Sequence, residues 1–256
     1  MMEEEQPPVA SPVPSPAPEQ RRGTPFWGYH DLFLFLGLML AGVVASSLLA
    51  HVLVAALHLR HPAEALEPLV AQLMLDVFAF AALAAIFRFQ YDEPFWSSLA
   101  WTPMRISPVR IVMLGFGTAM AVALAAVAIH LPAGENPLTK LLEDRTSVIL
   151  MAGFGVTLGP LFEELVFRGF LQPLLVRSLG AAPGIAAAAI PFGLLHFWEY
   201  GRSWRHALLI SAAGAAFGWM RQATGSTRAS TLMHASYNAL NFIALFAQKE
   251  NLPPTW

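Results

Sequence analysis

Leu158-Gly-Pro-Leu-Phe-Glu-Glu-Leu-Val-Phe-Arg-Gly-Phe-Leu-Gln172 is the stretch whose reading decides the fold. It carries two adjacent carboxylates, Glu163 and Glu164, and one guanidinium, Arg168, inside a run that otherwise reads as a membrane-spanning helix. A charge at bilayer depth costs at least roughly 2.5–3.5 kcal/mol on insertion scales. Ionisable groups at that depth are functional candidates by default, provided that partners for them can be named.

The whole chain supports the membrane reading. It has 256 residues, of which 56% are hydrophobic and only 12% charged, about half the charge of an average soluble domain. With its long apolar runs this predicts an all-α, polytopic membrane helix bundle of about seven to eight transmembrane helices. The net charge of -2 and the lack of a basic cluster exclude nucleic acid as a partner. There is no cysteine, which removes disulfides, thiolate catalysis and cysteine-ligated metal.

Residues 1–24 are rich in proline and glutamate, too polar to bury a core, and read as a disordered tail. Phe26, Trp27 and Tyr29 follow Arg21 and Arg22 as an expected interfacial belt. Residues 25–145 hold three apolar segments, at about 31–59, 66–89 and 109–131, each long enough to cross the hydrocarbon. A Trp- and Pro-containing loop separates the second from the third, and 137–145 reads as a short surface helix. Residues 146–248 hold four more segments, at about 146–176, 183–198, 206–220 and 229–247, and form the expected catalytic bundle; 249–256 is a short tail. Gly159-Pro160 is expected to kink the first of these four, because proline removes an i→i−4 hydrogen bond. The distribution of Lys and Arg over alternate loops favours an inside N-terminus.

Partners for the carboxylates lie downstream, in Phe192-Gly-Leu-Leu-His196 and His234-Ala-Ser-Tyr-Asn238. Glu164 and Arg168 are four apart, as are His234 and Asn238, so each pair shares one helical face. Singly, each motif has a plainer reading. Glu164–Arg168 alone is an intrahelical ion pair, His196 an interfacial histidine, and His234 with Asn238 hydrogen-bonding glue between helices. Together they supply what peptide hydrolysis needs: a base in an apolar surround and donors for an oxyanion. Asp76 and Asn241 read as structural. The serines lack a Gly-x-Ser-x-Gly context. Two His and two Glu also make a zinc-ligand set, although no His-Glu-x-x-His is present.

The ordered set resembles the CAAX prenyl endopeptidase and bacteriocin-processing (CPBP/Abi) family of intramembrane proteases. That family's pattern is Glu-Glu-x-x-x-Arg, Phe-x-x-x-His and His-x-x-x-Asn on successive membrane helices. The resemblance covers about Ser147 to Phe246. It implies that Glu163 and His196 activate a water, that His234 and Asn238 stabilise the oxyanion, and that Glu164, Arg168 and Phe192 support the site. It implies no required cofactor, with zinc as the alternative. The substrate is then a protein or peptide presented at the membrane, and the lipid bilayer is the other partner. The Ala-rich composition suggests a multi-pass protein of a bacterial cytoplasmic membrane. Two other classes are compatible with the same residues: a proton-coupled transporter and a non-catalytic membrane scaffold.

Overall fold

The computed structural model describes residues 25–60, 62–131 and 137–249. The expected tail over 1–24, and all but the first residue of the one over 249–256, lie outside the described residues. Every regular element among the described residues is helical. In order these are α1 (Tyr29–Ala56), α2 (Leu66–Ile86, running on to Tyr91 as a π-turn), α3 (Phe95–Ser98), α4 (Pro108–Ala128), α5 (Pro137–Leu141), α6 (Arg145–Val156), α7 (Leu158–Glu164), α8 (Gln172–Leu179), α9 (Ala181–Leu195), α10 (Trp204–Thr224) and α11 (Thr227–Lys249). A π-helical stretch, Leu165–Leu171, joins α7 to α8. Four helical stretches are long and apolar enough to cross a membrane: Tyr29–Ala56, Leu66–Tyr91, Pro108–Ala128 and Arg145–Leu179. Their apolar side chains point outward, with Leu40 and Val127 among the most exposed. This is a helical membrane protein, with lipid taking the place of a buried core on its outer face.

The seven long helical stretches fall where the apolar segments are read, with two differences. The second extends to Tyr91, into the expected loop. The expected aromatic belt is also corrected. Trp27 is buried, its indole N–H donates to the Phe170 carbonyl at 3.1 Å, and Arg177 donates to the Trp27 carbonyl at 3.0 Å. An indole beside an apolar segment gives the same sequence signal in a belt and in a core, and here a free carbonyl on the neighbouring helix decides it.

Phe170 lies in the π-stretch. Its i→i+5 pattern replaces the ordinary ladder over one turn and aligns Leu165 with Phe170. Both are buried in one cluster with Trp27, Phe35, Leu83 and Phe87. Phe167 falls on another side and joins Ile111, Phe192, Phe217 and Met233. The glutamate-bearing helix is thus the wall between two cores, one formed with α1 and α2, the other with α4, α9, α10 and α11.

The break ahead of the glutamates lies at Thr157, with φ −122° and ψ −80°. Pro160 explains it: the ring has no N–H for the carbonyl of Val156 and clashes with it. Downstream, α9 has 15 residues, about 22 Å of rise, less than the roughly 30 Å hydrocarbon thickness. Its end at His196 therefore falls short of a full crossing, and the turn 197–203 runs back to α10.

α4 crosses α11 so closely that a Cβ on Gly115 would lie 2.5 Å from the Met233 carbonyl oxygen, whereas nothing lies within 4 Å of one on Gly117. Gly115→Ala is expected to cost about 1–3 kcal/mol by overpacking. Gly117→Ala is expected to stabilise by up to about 1 kcal/mol through helix propensity. Thermal unfolding in detergent should move in opposite directions for the two.

At the start of α6, Asp144 accepts from the Ser147 N–H at 2.8 Å, while the Ser147 hydroxyl accepts from the Ala65 N–H at 2.9 Å. Hydrogen bonding to the Ser147 side chain, then to its backbone, holds the Asp144 carboxyl below its usual value. A lowered folded value means stabilisation that is full above about pH 4 and fades as pH falls further. Asp144→Ala should cost about 1 kcal/mol near neutrality, and the gap in melting temperature from wild type should close under acid.

Candidate active site

Glu163 and Glu164 are neighbours on α7, about 100° apart around the helix axis, and that rotation gives them different surroundings. The Glu164 side chain is fully buried, whereas 31% of the Glu163 side chain is exposed. Glu164 Oε1 pairs with Arg168 Nη1 at 2.9 Å and with His234 Nδ1 at 3.1 Å. An ionised carboxylate only accepts, so the proton on that side of the imidazole belongs to Nδ1. His234 Nε2 is then left for Glu163, whose Oε2 lies 3.8 Å away. That gap is beyond a direct hydrogen bond, but an oxygen beside it can stand about 2.8 Å from both groups.

Arg168 is held from every side. Its Nη2 donates to the Gly214 carbonyl at 2.8 Å, and its guanidinium carbon lies 4.3 Å from the centre of the Phe192 ring and 5.6 Å from that of Phe217. One turn on, Gln172 Nε2 donates to the Gly218 carbonyl at 2.9 Å. A Cβ on Gly214 would meet Phe192 at 2.7 Å, and one on Gly218 would meet Gln172 Oε1 at 2.6 Å. Two glycines four apart on α10 therefore receive two donors four apart on the facing helix.

The remaining expected residues are placed as follows. Phe192 lies edge-on to His234, with ring centres 5.7 Å apart, and Phe217 stacks on His234 at 4.5 Å. Glu164 and Phe192 thus border His234 directly, and Arg168 reaches it through Glu164. His196, half-buried at the end of α9, uses Nδ1 on the Phe192 carbonyl at 3.0 Å, which leaves its Nε2 unengaged. Among the described contacts none joins Glu163 to His196 directly; the imidazole facing Glu163 is that of His234. Asn238 Nδ2 donates to the Gly155 carbonyl at 2.6 Å. That carbonyl lies just before the Thr157 break, so the amide straps the break to α11 with one of its two N–H donors.

Two residues outside the motifs join the site electrostatically. Glu199, three residues past His196, interacts with both His196 and Glu163. Asp76 on α2 is buried, accepts from Gln72 Nε2 at 2.8 Å and feels the charge of Glu163. The sequence signal for Asp76 is its lone charge inside an apolar segment, and for Glu199 its place one turn from the histidine. Among the described residues no three His, Asp or Glu side chains form a group that could hold a metal ion.

Removing one partner of a buried ion pair leaves the other uncompensated, at a cost of roughly 3–5 kcal/mol. Arg168→Met and Glu164→Gln should each destabilise the protein by about that amount. The double variant should lose clearly less than the sum, because no lone charge remains. Unfolding by denaturant in detergent measures all three; additivity would show that the pair is not coupled.

Comparison with curated proteins and with solved structures finds no match. Comparison with family models finds one, described as type II CAAX prenyl endopeptidase Rce1-like, over residues 145–240. The matched stretch runs from the first residue of α6 to two residues past Asn238, and so contains all three motifs and every helix that contacts Arg168. Over that stretch, a little more than a third of the chain, the protein is similar to the type II CAAX prenyl endopeptidase Rce1-like family.

Proposed function

We propose that the protein is an intramembrane endopeptidase that hydrolyses a peptide bond in a membrane-associated protein or peptide, with Glu163 as the base. One observation carries this reading: two consecutive glutamates meet one histidine in opposite states. Glu164 is sealed and neutralised by Arg168, while Glu163 is partly exposed and faces the free ring nitrogen. A carboxylate oriented on Nδ1 that leaves Nε2 for chemistry is the division of labour seen in Ser-His-Asp hydrolases, here without a serine nucleophile.

In this mechanism Glu163 removes a proton from water as the oxygen attacks the amide carbon. His234 Nε2, which carries no proton in this tautomer, accepts from the water's other O–H and holds the attacking oxygen in place. His196, fixed through Nδ1, shares the proton from the end of α9. Glu163 then returns the proton to the amide nitrogen as the C–N bond breaks, giving one carboxylate and one amine. Asn238 contributes by holding the Thr157 break, and so the direction of Glu163. All seven long helical stretches are taken to enter a bacterial cytoplasmic membrane, six as full crossings and α9 as a short one. The irregular 196–203 turn is tolerated at depth because it lines a hydrated site.

Glu163→Gln keeps the shape and removes the base. It should lower kcat/KM by about 10²–10⁴ with the melting temperature unchanged. His196→Ala should also fall by at least about 10². The assay is cleavage of a membrane substrate by purified protein in liposomes, the substrate being found as a terminus that stays uncut when Glu163→Gln replaces wild type in cells. Full activity in either variant ends the proposal.

A further inference from the structure

Beside the proposed site lies a cavity of about 130 Å³ that the mechanism leaves without a role. Val122 and Ala123 of α4 and Ile210 of α10 give it apolar walls, and Tyr200, His206 and Tyr237 give it a polar edge. A cavity near 150 Å³ with apolar walls accepts one benzene-sized group, so this one has room for a single leucine- or phenylalanine-sized side chain and not for a lipid tail. Two links tie it to the chemistry. The Tyr200 N–H donates to the His196 carbonyl at 3.2 Å. Tyr237 sits between His234 and Asn238 in the chain, and its ring meets Phe217, which stacks on His234. The cavity is thus linked through two rings, Tyr237 and Phe217, to the imidazole that faces Glu163. His206 stacks on Tyr200 at 4.6 Å and keeps a buried Nδ1 with no hydrogen-bond partner, an unsatisfied group of the kind that a peptide N–H satisfies.

Resting on the peptidase reading, we infer that this cavity is a specificity pocket. It receives one leucine- or phenylalanine-sized apolar side chain of the peptide substrate, one or two residues from the bond that is cut. Successive residues of an extended chain stand about 3.3 Å apart, so filling the pocket fixes which peptide bond lies against Glu163 and His234. Selection by sequence then comes from a rigid wall contributed by α4, which lies outside the family-matched stretch.

The test uses membrane-anchored peptides in liposomes with Ala, Leu, Phe or Trp in turn at each position around the cut. Wild type should favour Leu or Phe over Ala and Trp at one position by about tenfold. Ala123→Phe, which fills the pocket, should abolish that preference. Ile210→Ala, which enlarges it, should move the optimum to Trp. Unchanged preferences in both variants, with cleavage intact, overturn the pocket and leave the peptidase reading standing. A second readout needs no turnover: in Glu163→Gln protein, a peptide carrying diazirine-leucine should label Val122 or Ile210 on irradiation. Excess unlabelled leucine peptide and Ala123→Phe should each suppress the label. Labelling at these residues without cleavage by wild type keeps the pocket and sinks the peptidase reading; no labelling there overturns the pocket.

Discussion

A guanidinium buried among apolar helices is the constraint on which the rest of this structure depends. Arg168 is 1% exposed, and its carboxylate partner Glu164 is fully buried. Desolvating two such ions costs several kcal/mol each, and attraction between them offsets this only where geometry is good and the remaining protons find acceptors. The fold meets that requirement in part, with Glu164 Oε2 and Arg168 Nη1 left without a well-formed hydrogen bond. Glu164 takes one Arg168 nitrogen, the Gly214 carbonyl takes another, and Phe192 offers the face of its ring to the cation. Each answer constrains a different helix. Position 214 has to be glycine, α9 must bring Phe192 to the guanidinium, and α11 must bring His234 to the shared carboxylate oxygen.

From this follows the split between the two glutamates. A helix turns about 100° per residue, so Glu163 cannot share the buried environment of Glu164. With Arg168 taken by its neighbour, Glu163 meets the same histidine from a more open side. Local charge balance thus turns two chemically identical residues into an anchor and a candidate base, the kind of separation that acid–base assignments rest on. The π-stretch matters here because it follows Glu164 directly and sets the rotation at which Phe167, Arg168 and Phe170 leave the helix. Such single wide turns recur at functional sites.

Much of this is legible in the sequence, and the residues show why. Apolar runs locate the helices, and charges in an apolar run locate Glu163, Glu164 and Arg168, because both signals are local. The spacing of His234 and Asn238 places them on one face without giving them one role. His234 meets the carboxylates, while Asn238 straps a carbonyl on α6. A helical period reports direction around an axis and nothing about the helix opposite. Gly214 and Gly218 carry no sequence signal for the same reason, since in a glycine-rich membrane chain only the donors facing them give them meaning. Trp27 reads as interfacial because a tryptophan near a membrane boundary usually is. What buries it is the Phe170 carbonyl, more than a hundred residues away.

The short α9 connects fold to access. A helix that stops at His196 leaves polar backbone below the level where its neighbours end, and unpaired backbone in hydrocarbon is costly unless it lines water or protein. The following turn meets this in two ways. His196 and Tyr200 close a local backbone hydrogen bond, and the Leu138 N–H in α5's first turn donates to the Glu199 carbonyl at 3.0 Å. α5 thereby covers the turn without α9 being extended. Had α9 run its full length, the Glu199 carbonyl would be committed to the ladder and could not take the Leu138 N–H. Stopping early keeps His196, Glu199 and the Tyr200 edge of the cavity together at one depth. The proposed chemistry and the proposed selection of substrate therefore share one structural cause, the premature end of a single helix.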